Sequence, residues 1–303
     1  MRTPSRDATF DRVIVLLDVT SDHLPALESG AALAARLQIP LVTLFAEARE
    51  LLALEGHPLV RTIDLPTGMG RSVEQGSMRR HWRALARRTH NRLALLARHY
   101  RLEADFRILG GDLRQQLGEL GTSRDLMVVE SAGRMVTKYL RMESQGHCIG
   151  RSLPAPVVFV GARPSHMRSV VLVYDGSPTS ERGLDTALQL TADDASLLSL
   201  VWVGESANEI RELTTRVQRR LARQRRRIHV HARRIACHET GAIGSIASQM
   251  GANFLIVPAC DIYPGEADID RLSRELDCPV LILRSQFGDE SDDPDRRRAA
   301  VEG

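Results

Sequence analysis

Between Val128 and Ser144 the sequence reads VVESAGRMVTKYLRMES. Two apolar residues run into the Glu130 carboxylate, followed by Gly133, the cations Arg134, Lys138 and Arg141, and a closing Glu143-Ser144 pair. A bare glycine lets the backbone approach an anion, and a serine that starts a helix places backbone N–H groups toward a phosphate. Glu130 and Glu143 oppose that chemistry. A carboxylate about 6 Å from a phosphate charge costs roughly 3 kcal/mol at an effective dielectric near 20. Three readings follow: a working phosphate cradle, a damaged one, or a surface loop without a ligand.

Other reactive side chains offer less. RVQRRLARQRRRIHVHARR (216–234) is the densest basic run and would meet phosphates through arginine. It lacks aromatic interleaving and a recognisable DNA-binding module, so a solvated helix face is the expected role, and nucleic acid is not the expected partner. His229 and His231 lie two apart on an expected strand and share a face, but two imidazoles without a third ligand make no metal site. Asp112 and Asp261 follow strand ends, where capping and turn roles are the common case. No Ser/His/Asp set, HExxH or nucleophile elbow is present, so no catalytic residue is assigned. The cysteines 148, 237, 260 and 278 show neither CxxC nor zinc spacing and read as buried or incidental thiols.

These residues must be held by something, and the chain shows what. Residues 13–18 read VIVLLD and residues 170–175 read VVLVYD, 157 positions apart. The same offset lays Leu27 on Leu184, Ala31 on Leu188, Leu41 on Leu198, and Leu44-Phe45 on Val201-Trp202. Each half opens with an apolar strand ending in Asp, then a polar turn, a helix-period segment and a second apolar strand. The continuous apolar runs suit strands buried on both faces, as in a parallel sheet. Thr20, Ser21 or Asp22 can cap the first helix, and Ser177, Thr179 or Ser180 its counterpart.

In the first half a helix over 75–100 places Trp82, Leu85, Ala86, Thr89, Leu93, Leu96 and Tyr100 on one face. Strand 104–109, a short helix over 113–120, strand 126–129, the loop described above, a fourth helix and strand 157–160 follow. The second half repeats this as helix 207–225, strand 228–236, helix 242–250 and strands 254–257 and 280–283. Five strands alternating with four helices predict βαβ units and a parallel sheet with helices on both faces.

With 303 residues, two domains are expected. Their limits fall at 9–162, with an unmatched insertion over 51–74, and at 168–285, joined by ARPSHMR (162–168). Residues 286–303 are polar and charged and read as a disordered tail. No apolar run reaches the roughly 18 residues that span a bilayer, and no signal-peptide core follows the N-terminus, so a cytoplasmic address is expected. Aromatic residues are only 4%, against base stacking as a main activity. Lys138 is the single lysine among 41 basic residues, which reads as genomic composition.

The segment VYDGSPTSERGLDTAL resembles the opening of universal stress protein domains. GAIGSIASQMGANFLIVPA looks like that family's third helix and fourth strand, and LDCPVLIL is similar to its closing Cys-Pro-Val strand. DLMVVESAGR and SLPAPVVFV take the corresponding places in the first half. The resemblance implies two tandem five-stranded parallel-sheet α/β sandwiches of the Rossmann-like, adenine nucleotide alpha hydrolase-like type, packed as an internal pseudo-dimer. Exposed edge strands would leave room for a homodimer. LFAEARELLALEGHPLVRTI looks like a feature of tandem bacterial members whose function is undefined.

Nucleotide-binding members carry G-x2-G-x9-G-[ST] after strand four. That spacing survives here as Glu130-x2-Gly133-x9-Glu143-Ser144, with two glycines replaced by glutamate. The resemblance therefore implies an ATP site in the first half built from Asp18, Gly133, Arg134 and Ser144, or the loss of that site. Val19-Thr20 replaces the family's Gly-Ser beside Asp18. In the second half Asp175 matches the strand-one Asp that contacts the nucleotide base region, but Pro258 or Ala259 takes the first glycine position. The loop there is about six residues shorter. The expectation is a non-enzymatic stress-response protein without a cofactor that acts through a protein partner or small ligand. The alternatives are an ATP-binding protein with slow hydrolysis and an anion- or nucleic-acid-binding protein using its arginine faces.

Overall fold

The computed structural model describes residues 9–17, 24–46, 61–63, 70–72, 76–110, 122–131, 155–161, 167–192, 197–203, 207–222, 234–235, 241–259, 271–272 and 276–283. In chain order the elements are β1 (Arg12–Leu17), α1 (Leu24–Leu37), β2 (Leu41–Ala46), β3 (Arg61–Ile63), β4 (Gly70–Ser72), α2 (Ser77–Tyr100), β5 (Ala104–Leu109), β6 (Asp125–Glu130), β7 (Val157–Val160), β8 (Ser169–Tyr174), α3 (Pro178–Leu190), β9 (Leu197–Val203), α4 (Ala207–Ala222), β10 (Arg234–Ile235), α5 (Gly241–Gln249), β11 (Phe254–Pro258) and β12 (Val280–Leu283).

Among the described residues, ten strands form one sheet in the order β10-β9-β8-β11-β12-β7-β6-β1-β2-β5. Each half contributes five mutually parallel strands, with the first strand central and the second and third to one side. The halves meet where β7 and β12 run antiparallel. Two expected sandwiches thus share a single sheet. The merger follows from the fifth strands: each is apolar and fully buried, and each completes its ladder against the other.

The ungapped repeat is visible in strand register. Val13 pairs with Leu41 and Leu17 with Phe45; 157 residues on, Val170 pairs with Leu198 and Tyr174 with Trp202. Side chains alternate between two cores, as the two-residue period of a strand requires. Val13, Val15 and Leu17 face α1 and α2, while Val170, Leu172 and Tyr174 face α3 and α4, in one core that crosses both halves. Ile14, Leu16, Val171 and Val173 face the opposite core with α5. Both faces are covered, which explains the uninterrupted apolar strands.

Helices α1 and α3 lie close on the sheet because small residues recur four apart, Ala26 and Gly30 in one and Gly183 and Ala187 in the other. A Cβ on Gly30 would sit 2.2 Å from Val15 Cγ2. Long side chains also cross between the halves. Arg182 donates to the Ser123 carbonyl at 2.6 Å and stacks over Phe10, and Arg36 donates to the Leu190 carbonyl.

One expectation changes. Tyr100 is exposed rather than part of the α2 apolar face, because the helix ends there and its ring lies edge-on to His99. One feature is added: Arg61–Ile63 and Gly70–Ser72 of the insertion form an antiparallel hairpin, whose three-residue strands are too short to show periodicity in sequence. The offset between halves is 128 residues at β6/β11 and 123 at β7/β12, so the second loop is five residues shorter, in line with the expected difference of about six.

Candidate functional site at the sheet's carboxyl edges

In each half the chain crosses to one side after the first strand and to the other before the fourth. The crevice between the carboxyl ends of these two strands is where open α/β sheets hold ligands. In the first half this lies between β1 and β6, and in the second between β8 and β11. Because β7 and β12 are antiparallel, the two crevices open at opposite ends of the sheet.

Glu130 is the last residue of β6 and pairs with Val160. Ser131 closes the strand, its N–H donating to the Val160 carbonyl at 2.9 Å and its hydroxyl donating to the same oxygen at 2.7 Å. Glu130 is half-buried, and its Oε1 is shielded from solvent. In the second half Pro258 pairs with Leu283, and the Ala259 N–H donates to the Leu283 carbonyl at 2.7 Å. Matching the two ladders lays Glu130 on Pro258 and Ser131 on Ala259. Register therefore assigns the first-glycine position to Pro258, a choice sequence spacing left open. A proline there has no N–H to offer an anion.

Asp175 sits one residue beyond β8. Its Oδ1 accepts from the Ser177 N–H at 2.9 Å, Gly176 takes a left-handed φ of 81°, and the Ser177 hydroxyl accepts from the Ser180 N–H at 3.1 Å. Ser177 is thus the cap of α3, with Pro178 in the first turn where its missing N–H costs nothing. The Asp175 carboxylate holds the strand-to-helix turn.

Asp18, Gly133, Arg134, Ser144, Lys138, Arg141 and Glu143 lie outside the described residues, as do Asp112, Asp261, His229, His231, Cys148, Cys237, Cys260 and the 286–303 tail. Cys278 is buried and free, and burial pushes its thiol up to about 12.

One polar cluster escaped sequence reading. Buried Tyr174 donates its hydroxyl to Glu181, and Arg220 joins Glu181 to Asp185. Burial first, and then the hydrogen bond to Glu181, hold the phenol above its ordinary 10.0. The Trp202 ring meets Tyr174 edge-on at 5.2 Å. In the first half the matching positions are Leu17, Leu24, Glu28 and Phe45, of which only Glu28 keeps an ion pair, to Arg92 at 2.5 Å. The available signal was Tyr174 in an otherwise apolar strand. Arg220, from the basic run, is consumed in this cluster, whereas Arg216 and Arg219 stay exposed.

No family model matches the chain, and no curated protein matches it. Solved structures do. A universal stress protein from Archaeoglobus fulgidus DSM 4304 superposes with a TM-score of 0.62 at 13% identity, covering 93% of this chain and 99% of that one. A Pseudomonas aeruginosa UCBPP-PA14 protein assigned to the universal stress proteins gives 0.53 at 15%, covering 93% and 96%. The cytoplasmic domain of a prokaryotic cation chloride cotransporter gives 0.50 at 12%, covering 89% and 95%. The chain is therefore a doubly wound α/β protein with two strand-order reversals. More particularly, it has the universal stress protein fold, carried as two copies in one sheet. Among the described residues, no helix is long and apolar enough to cross a membrane.

Proposed function

We propose that the chain is a non-enzymatic stress-response or regulatory protein that has lost its family's ATP binding and acts by binding a partner protein or small ligand. The supporting observation is that both switch points carry a residue hostile to a phosphate where a bare glycine is needed. Glu130 and Pro258 occupy equivalent ladder positions at the ends of β6 and β11. One glutamate costs roughly 3 kcal/mol against each phosphate charge, and micromolar binding is worth only about 8 kcal/mol. Asp175 serves its own turn, so the strand-one carboxylate of the second crevice is already engaged. The fold also occurs as the cytoplasmic domain of a transporter, which agrees with a role in binding rather than turnover.

The test is calorimetric titration with ATP-Mg²⁺ of the wild type and of Glu130→Gly plus Glu143→Gly. The reading expects no binding by the wild type and binding gained by the double variant. Micromolar binding by the wild type would overturn it in favour of an ATP site at Asp18, Gly133, Arg134 and Ser144.

A further inference from the structure

Among the described residues, strand β5 ends the sheet on the first-half side. Leu41 pairs with Ala104, and the Leu41 N–H donates to the Glu103 carbonyl at 2.9 Å. In a parallel ladder this fixes the alternation: Asp105, Arg107 and Leu109 turn their backbone groups toward β2. Ala104, Phe106 and Ile108 turn theirs outward, away from the sheet. Ala104 is exposed, and Ile108 is 51% exposed. The strand has six residues, with no proline and no bulge to blunt the edge.

Helix α2 overhangs this edge. The His90 ring meets Phe106 of β5 at 5.2 Å, whereas Arg92 reaches the other way to Glu28 of α1. The His90 flank therefore faces outward past β5. Arg83 and Arg87 lie on it, roughly 20° and 60° around the helix from His90. Because α2 descends between two parallel strands, these arginines sit toward the carboxyl end of β5. At 1.5 Å per helical residue, Arg87 is about 4.5 Å and Arg83 about 10 Å beyond Phe106, roughly level with Ile108 and Leu109.

The charge on α2 has one sign. Its 24 residues include seven arginines and no Asp or Glu. The chain as a whole is only +3, so everything outside α2 sums to −4. Among the described residues, Arg92 alone of the seven forms an ion pair, and Arg83 and Arg87 are exposed without one.

We infer that β5 takes an extended acidic segment of a partner protein as an added strand, with its acidic side chains under Arg83 and Arg87. This rests on the reading of the chain as a partner-binding protein and names the surface and the chemistry. A strand added about 4.8 Å further out lies on the side of β5 toward which the His90 flank of α2 faces, within reach of long arginine side chains on that flank, and only an extended backbone satisfies the alternating N–H and C=O groups of the edge. A second copy fits poorly, because pairing two β5 strands brings two all-positive helices together. A membrane fits poorly too, since the apolar face of α2 is spent in the core through Ala86, Leu93 and Leu96.

The probe is a short fluorescein-labelled peptide alternating glutamate with valine, followed by anisotropy at low salt. The wild type should bind it and ignore the lysine-for-glutamate version. Arg83→Glu with Arg87→Glu should weaken binding about tenfold or more, a loss of about 1.4 kcal/mol. Ile108→Pro, which removes an outward N–H at an exposed edge position, should do the same. If Ile108→Pro fails to fold, hydrogen exchange decides instead: the peptide should protect the Phe106 and Ile108 amides of the wild type. No binding, binding indifferent to the arginine pair, or absent amide protection would each overturn the proposal. So would self-association abolished by Ile108→Pro, or tighter binding of duplex nucleic acid through the same arginines. ATP binding in the calorimeter would sink the functional reading alone, and peptide binding is decided by its own arms.

Discussion

Val158 and Leu281 face each other at the centre of the antiparallel β7–β12 pair, and the pseudo-two-fold axis of the protein passes between them. The ladders establish this: Val157 and Val280 are equivalent positions, as are Phe159 and Ile282, and the pairs Val280–Phe159 and Val157–Ile282 exchange under the rotation. Both residues at the axis are fully buried. The two halves therefore share one sheet and one core, and they should unfold together.

The two tryptophans test this directly, because Trp82 lies in the first half and Trp202 in the second. Single-tryptophan variants, Trp82→Phe and Trp202→Phe, should unfold in urea at coincident midpoints. Leu281→Ala should lower both midpoints together, at a cost of about 2–4 kcal/mol. Two separated transitions would show that the halves unfold independently.

Gly30 should not tolerate a methyl group. A Cβ there meets Val15 Cγ2 at 2.2 Å, and a β-branched strand residue has little freedom to turn away. Overpacking costs about 1–3 kcal/mol, against roughly 1 kcal/mol gained in helix propensity. Gly30→Ala should be net destabilising, and Val15→Ala should cost less in that background than alone. Additive effects in thermal unfolding would contradict the contact.

Asp125 is 2% exposed and accepts from Arg12 at 2.8 and 3.1 Å and from the Thr122 N–H at 2.8 Å. Arg12→Ala would strand that carboxylate and should cost about 3 kcal/mol. The double variant Arg12→Ala with Asp125→Ala should be milder than the two single losses combined. A double-mutant cycle in denaturant gives the coupling, and a value near zero would deny the pair a role.

Tyr174 predicts an alkaline weakness. Its folded pKa lies above the ordinary 10.0. Below 10 the phenol is neutral in both states and its contribution is fully present. As pH rises past 10 the unfolded tyrosine ionises first, and stability falls until the folded pKa is reached. Tyr174→Phe should lose less stability than the wild type between neutral pH and the range above 10. Equal slopes in the two proteins would overturn the assignment.

Much of the architecture was legible because it is written in short-range patterns. Apolar runs ending in Asp and the constant offset of 157 residues announce βα units and their duplication. The strand-end position of Glu130 was readable from spacing alone. The polar cluster of Tyr174, Glu181, Asp185 and Arg220 was not, because its members come from three elements up to 46 residues apart and meet only through helix packing.

By itself, the sequence determined that this protein has two copies of one α/β unit, with cations and glutamates mixed in the segment after the fourth strand of the first. Strand pattern, turn chemistry and residue charge are local properties, and they survive without coordinates. Only the tertiary structure decided that the two sheets become one, that Pro258 rather than Ala259 is the ladder equivalent of Glu130, and that β5 lies at the edge of the described sheet. Each of those depends on which strand is hydrogen-bonded to which, and in what register. Hydrogen-bond partners distant in sequence are chosen by burial of whole faces, which no single segment encodes.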